Sequence, residues 1–268
     1  MAHNVIKTGP MIKVKEELKS NNKISIGSWI TIPNRIIAEI MKNAGYSWVC
    51  IDLEHTMITL EQAGDLIAAI DSKECSPLVR LSSNDSVLIK RVMDAGAHGV
   101  IVPMVKTKDD VLNAFESMHY PPLGKRGVGL ARAQKYGVAF DDYQKWLLEN
   151  SVLIAQIEHI DAVQNIKELL EMNELDGYIV GPYDLSASMG IAGEFDHPDF
   201  ISVMKKIEDA IKKYNKPGGL HVVEPDTSKL KEVIEKGYRF IAYSVDMRML
   251  DKSCREGVDL AYRVADES

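Results

Sequence analysis

Several things are scarce in this chain, and each absence narrows the possibilities. There are three cysteines, Cys50, Cys75 and Cys254, with no CxxC or zinc-ligand spacing among them. Reduced thiols and a cytoplasmic location are therefore expected. Positive charge is in deficit: 32 Lys and Arg face 39 Asp and Glu, for a formal net charge of −7. With no basic excess to neutralise phosphates, nucleic acid is not an expected partner. No apolar run approaches the roughly 20 residues of a membrane helix. The first stretch, MAHNVIKTGPMIKVKEELKS, has no apolar signal-peptide core, so no membrane partner is expected either. What is present is a 46% hydrophobic composition over 268 residues. That is enough for a large core, at close to the roughly 250 residues of a (β/α)8 barrel.

The stretch Val49-Cys50-Ile51-Asp52-Leu53-Glu54-His55 organises the rest. It begins as a buried strand and ends in acids and a histidine. An apolar run of this kind needs both faces covered, as in a parallel sheet. Similar runs recur at 23–30, 48–53, 77–81, 99–104, 151–158, 177–180, 218–223 and 239–245. Helical periodicity lies between them, at 33–43, 60–70, 86–94, 108–118, 162–172, 198–214 and 228–236. Thr59 with Gln62 forms a capping-box pattern. Residues 11–20 read as a polar helix, part of a leader over 1–22, and 247–265 as a last helix. One segment breaks the rhythm: 119–145 is rich in glycine, proline and charge and reads as a long functional loop. Eight strands alternating with helices predict a single α/β domain over 1–268, a (β/α)8 barrel.

In such a barrel the C-terminal strand ends share one rim, where catalytic groups sit. Collected there are Trp29, then Asp52, Glu54 and His55, then Arg80, then Gln156 and Glu158, and finally Asp184 beyond Gly181-Pro182. Glu158 and Asp184 can share a divalent cation with water and substrate oxygens. Oxygen-only ligands favour Mg2+ or Mn2+, with Co2+ also compatible. Arg80 offers a planar fork to a carboxylate. His55 can move a proton α to a polarised carbonyl. Together these parts suit reversible aldol chemistry. Each residue also has a plainer reading: His55 as a capping histidine, Arg80 as the partner of a barrel carboxylate, Glu158 and Asp184 as N-caps or solvated acids. His221 in the seventh strand reads as a core or rim histidine. His98 and His119 fall near the opposite face.

IDLEH, PLVRL, LIKRVMDAGAHGVIVPMV, the GKRGVG…AR loop, AQIE and GPYDLSASMG, in that order, resemble the HpcH/HpaI aldolase family over residues 26–246. The resemblance implies a metal-dependent (class II) pyruvate aldolase on a barrel of the phosphoenolpyruvate/pyruvate type. Such an enzyme cleaves a 4-hydroxy-2-oxo acid to pyruvate and an aldehyde through a metal-stabilised enolate. It implies His55 as acid/base paired with Asp94, and Arg80 on the keto acid. It implies Glu158 and Asp184 on the metal, with Gln156, Trp29, Ser186 and the backbone after Gly181-Pro182 around the pyruvate. It also implies a homo-oligomer, often a hexamer, in which the terminal helix crosses to a neighbour. The sequence departs from the family pattern after His55, where Thr56-Met57-Ile58 makes the rim more apolar. The loop around Arg126 and Arg132 is expected to help choose the aldehyde. Two alternatives stand beside this reading. One is a lyase of the same superfamily acting on CoA thioesters, which the net charge of −7 makes less attractive. The other is a barrel that binds keto acids without turnover.

Overall fold

The computed structural model describes residues 11–20 and 22–266. The remainder of the 1–22 leader, and the last two residues, lie outside the described residues. Eight parallel strands close into a barrel in chain order. They are β1 (Ser25–Ile30), β2 (Trp48–Asp52), β3 (Ser76–Arg80), β4 (Gly99–Val102), β5 (Val152–Ile157), β6 (Gly177–Val180), β7 (Gly218–Val222) and β8 (Phe240–Val245). Each matches a predicted run to within two residues. The helices up to the fifth strand are α1 (Lys13–Leu18), α2 (Arg35–Asn43), α3 (Leu60–Ile70), α4 (Ser86–Ala95), α5 (Lys108–Met118) and α6 (Phe140–Asn150). Those beyond it are α7 (Ile160–Gln164), α8 (Ile166–Leu170), α9 (Pro182–Ser188), α10 (Pro198–Tyr214), α11 (Thr227–Glu235) and α12 (Asp246–Asp266).

Two stretches differ from the sequence reading. The segment 119–145 is not irregular throughout: it ends in α6, whose first turn carries Asp141 and Asp142 where the helix dipole favours acids. The helix read over 162–172 is two short ones, α7 and α8, separated at Asn165, whose ψ of 8° falls outside the helical range. The capping box does form. Gln62 N–H donates to Thr59 Oγ1 at 3.3 Å, and Thr59 N–H to Gln62 Oε1 at 2.9 Å.

Period-two alternation along each strand sorts its side chains between two cores. Val49, Ile51, Val79, Val100 and Ala155 face the helices. Trp48, Cys50, Leu78, Ile154, Ile179 and Phe240 face inward. Trp48 stacks on Phe240 with ring centroids 4.4 Å apart and fills the lower barrel. Helix α1 closes that end, burying Ile12, Val14 and Leu18 in the inner cluster. Its Lys15 reaches Asp176 at 2.6 Å. The same alternation carried upward turns Asp52, Arg80, Gln156 and Glu158 inward at the other end, so polar chemistry follows from strand register. No helix among the described residues is long and apolar enough to cross a membrane.

Candidate active site

At the C-terminal ends of the strands lies a cavity of about 540 Å³, whose wall includes Trp29, His55, Arg80, Gln156, Asp184 and His221. A cavity of similar size, about 530 Å³, opens on the outer side near the N-terminal end, beside His98 and Arg132. There Asp71 engages both, His98 Nε2 at 2.9 Å and Arg132 Nη2 at 2.8 Å. The mouth is the candidate site, because its polar groups still have bonding capacity facing the cavity.

Arg80 is the hub of that mouth. Asp52 and Arg80 are register partners across β2 and β3. The guanidinium therefore donates to Asp52 through both Nε (2.9 Å) and Nη2 (2.6 Å). Nη1 lies 3.4 Å from Glu54, and the group sits 4.5 Å above the Trp29 ring. The ion pair offered as the plainer reading is thus present, in a residue that also lines the cavity. Burial pushes the Asp52 carboxyl up, but the Arg80 contact and the Glu54 and His55 amides more than offset it, and the group stays below the usual range. Glu54, to which the sequence pattern gave no role, lies between Arg80 and His55. Burial pushes its carboxyl up to about 7, against the pull of Arg80 and with the charges of Glu158, Asp52 and Asp184 adding to the rise. Its Oε2 is buried without a hydrogen-bond partner among the described residues.

Glu158 is 2% exposed just past β5. Met104 N–H donates to its Oε1 at 2.6 Å, and Gln156 Nε2 donates to its Oε2. Met104 adopts a positive φ of 54° just beyond β4, an uncommon conformation that goes with presenting its amide there. Burial raises the Glu158 pKa, and the nearby Asp184 charge adds to the rise. Asp184 stands exposed in the first turn of α9, after Gly181 and with Pro182 at the helix start. Among the described residues no group of three or more His, Cys, Asp or Glu side chains could hold a metal ion. Two carboxylates nonetheless fit a hard cation of the Mg2+ type, which keeps waters and takes substrate oxygens.

The remaining expected residues divide. Trp29, Gln156, Gly181 and Pro182 all line the cavity. His55 stands at the rim with its side chain 63% exposed and Nε2 3.7 Å from Glu54. Two expected placements are not seen within the single chain. Asp94 does not meet His55 within the chain. It ends α4 at the opposite end of the barrel and pairs with Arg126 at 2.5 Å. Ser186 is fully buried, its hydroxyl donating to Tyr183 O (2.8 Å) and accepting from Gly193 N–H (2.9 Å), so it staples the α9 turn rather than facing the cavity. The loop of Arg126 and Arg132 also packs at the N-terminal end, against the ends of α4 and α5.

His221 is the other group the sequence reading left without a role. Burial pushes its pKa down to about 4, with the Ser244 carbonyl opposing and the Arg80 charge assisting. The folded ring binds its proton more weakly than an unfolded histidine at about 6.5. The stabilisation is thus complete above pH 6.5 and lost as the pH falls towards 4, about 3 kcal/mol in all. Urea denaturation at pH 7 and at pH 4.5 checks this: wild type should lose more stability on acidification than His221→Leu.

Comparison with known proteins agrees with this architecture. The model of the family described as HpcH/HpaI aldolase/citrate lyase matches residues 25–252. A hydroxypyruvate/pyruvate aldolase of Sagittula stellata is 34% identical over 242 residues, covering 90% of this chain and 94% of that protein. A 4-hydroxy-2-oxo-heptane-1,7-dioate aldolase of Salmonella dublin is 36% identical over 239 residues, 88% and 89% of the two chains. The crystal structure of an HpcH/HpaI aldolase/citrate lyase family protein from Burkholderia cenocepacia superposes with a TM-score of 0.86 at 29% identity, covering 92% of this chain and 98% of that one. With a matched model spanning the whole barrel, the chain belongs to the HpcH/HpaI aldolase/citrate lyase family and is a lyase of the aldolase type.

Proposed function

We propose that this enzyme reversibly cleaves 4-hydroxy-2-oxo acids to pyruvate and an aldehyde, in the cytoplasm and as a homo-oligomer. The observation that carries the reading is the meeting, in one cavity mouth, of an anchored cation (Arg80), an acid (Asp184) and a rim histidine (His55), with a second acid, Glu158, buried directly behind the lining residue Gly181. Glu158 and Asp184 would hold Mg2+, Mn2+ or Co2+. Held there, such a cation would supply Lewis-acid polarisation of a keto group and charge stabilisation of an enolate.

Arg80, fixed on its other side by Asp52, turns Nη1 to the substrate and stabilises the oxyanion that develops. The free N–H groups of the first α9 turn, after Gly181-Pro182, receive the 2-oxo acid carboxylate. Gln156 holds Glu158 in place. His55 takes the proton of the 4-hydroxyl as the C3–C4 bond breaks, and returns a proton to pyruvate C3. Phe195 and Val223 line the same cavity and keep its outer part apolar.

A direct test supplies a 4-hydroxy-2-oxo acid and follows pyruvate release with lactate dehydrogenase, with metal and then with EDTA. Release that needs metal supports the reading, and no release from any such acid contradicts it. Glu158 also has a steric requirement. A Cβ at Gly181 would stand 2.9 Å from Glu158 Oε2 and 3.0 Å from its Cβ. Gly181→Ala should therefore displace the carboxylate and lower kcat/KM at least about tenfold. Its thermal midpoint should move only a few degrees, since a flexible side chain absorbs the contact. Unchanged kcat/KM in that variant would mean the carboxylate's position is not needed.

A further inference from the structure

The active-site cavity is larger than the proposed chemistry needs, and the excess lies to one side. At about 540 Å³ it is of a size that holds ligands much bigger than a three-carbon keto acid. Besides the polar groups of the mouth, its wall includes Val180, Phe195, Phe200, Met204 and Leu220. These five do not face the barrel axis. Val180 and Phe200 are buried in the core between sheet and helices, and Phe195, Met204 and Leu220 pack against that core. The cavity therefore continues outward from the mouth, past the ends of β6 and β7, to α10.

Local structure builds this side chamber. Val180 and Leu220 are register partners across β6 and β7, so strand alternation turns both to the helix layer. Phe200 and Met204 stand four residues apart in α10 and share a face. Phe195 comes from the connection between α9 and α10. Gly193 turns that connection with a φ of 77°, and its N–H is held by the Ser186 hydroxyl at 2.9 Å. The Phe195 ring then meets Tyr183 (centroids 4.9 Å apart) and Phe200 (5.4 Å). Charge stays at the mouth. Arg80, the one wall residue with a permanent positive charge among those described, is already engaged by Asp52 and Glu54. No lysine, serine, threonine or asparagine lines the cavity among the described residues. A carboxylate or a run of hydroxyls entering the chamber would lose water without gaining a partner, whereas a methylene chain gains by leaving water.

We propose that this side chamber is the subsite for the tail of the aldehyde, and that the enzyme selects aldehydes that are uncharged and apolar beyond the carbonyl carbon. The inference rests on the proposed aldolase reading. The first turn of α9 follows β6 directly, so a keto acid held there has the chamber beside it. Met204, half-buried, bounds the chamber on the α10 side and sets the length of tail that fits.

The experiment couples pyruvate to the straight-chain aldehydes from acetaldehyde to hexanal, and to succinic semialdehyde and glyceraldehyde, in wild type, Met204→Ala and Met204→Trp. In wild type kcat/KM should rise about fourfold per added methylene until the chamber is full. Pentanal should exceed both polar aldehydes by about tenfold or more. Met204→Trp should end the rise at a shorter chain and Met204→Ala at a longer one. All three proteins should exchange pyruvate protons at the same rate, because Met204 touches no reacting group. Should the tryptophan variant not fold, the wild-type series and Met204→Ala decide alone. With exchange intact, a profile flat in chain length, a preference for the carboxylated or hydroxylated aldehyde, or an unchanged profile in the variants overturns the subsite. Wild-type protein that neither exchanges pyruvate protons nor couples any aldehyde overturns the aldolase reading, and the subsite with it.

Discussion

Arg80→Ala is expected to lose both activity and stability, and a second substitution separates the two losses. Removing the guanidinium leaves Asp52, 2% exposed, with only the N–H groups of Glu54 (3.0 Å) and His55 (3.3 Å). Breaking a buried pair from one side costs about 3–5 kcal/mol, because the surviving charge stays buried. Losing a charge-assisted contact to the developing oxyanion should cost at least about 2 kcal/mol of transition-state stabilisation, roughly 30-fold in kcat/KM. The double variant Asp52→Asn/Arg80→Met removes both charges and should regain most of the stability while remaining inactive. Chemical denaturation and retro-aldol kinetics on the two variants make the comparison. Near-normal turnover in either would mean that Arg80 is only the structural partner of Asp52.

Gly99→Ala should be the most damaging single substitution away from the mouth. Gly99 pairs with Val152 across β4 and β5. A Cβ there would stand 2.0 Å from the Val152 carbonyl oxygen and 2.8 Å from its carbonyl carbon. The obstacle is backbone held in the ladder, so relief requires parting two barrel strands. A loss of more than about 4 kcal/mol is expected, a large share of the 5–15 kcal/mol that holds a typical domain folded. Circular dichroism and urea denaturation check this. A variant that unfolds within about 1 kcal/mol of wild type would show that the strands separate easily at this point.

The contrast between these two sites shows what a linear sequence discloses. The barrel was legible because a parallel sheet covered on both faces needs continuous apolar strands, and eight such runs stand at regular spacing. The strand-end residues Arg80, Gln156 and Glu158 were legible for the same reason: alternation carries an inward position two residues further to the rim. Asp94 and the Arg126–Arg132 loop lie away from the mouth of their own barrel, and chain direction is the reason. Both belong to αβ connections, which return to the N-terminal end of a barrel, and only βα connections reach the mouth. Helix α6 was hidden by the glycines and prolines of the segment before it. Ser186 lies near Asp184 in sequence, yet helical geometry turns it into the α9 turn.

Proton exchange at pyruvate C3 tests the central claim most directly, because it requires enolate formation and no knowledge of the aldehyde. The protein is incubated with pyruvate in D2O with Mg2+, Mn2+ or Co2+, then with EDTA, and the methyl signal is followed by NMR. The account predicts metal-dependent loss of that signal, abolished by EDTA and reduced to background in His55→Ala. Absence of exchange with all three metals would contradict it and turn attention to CoA-thioester cleavage or to binding without turnover.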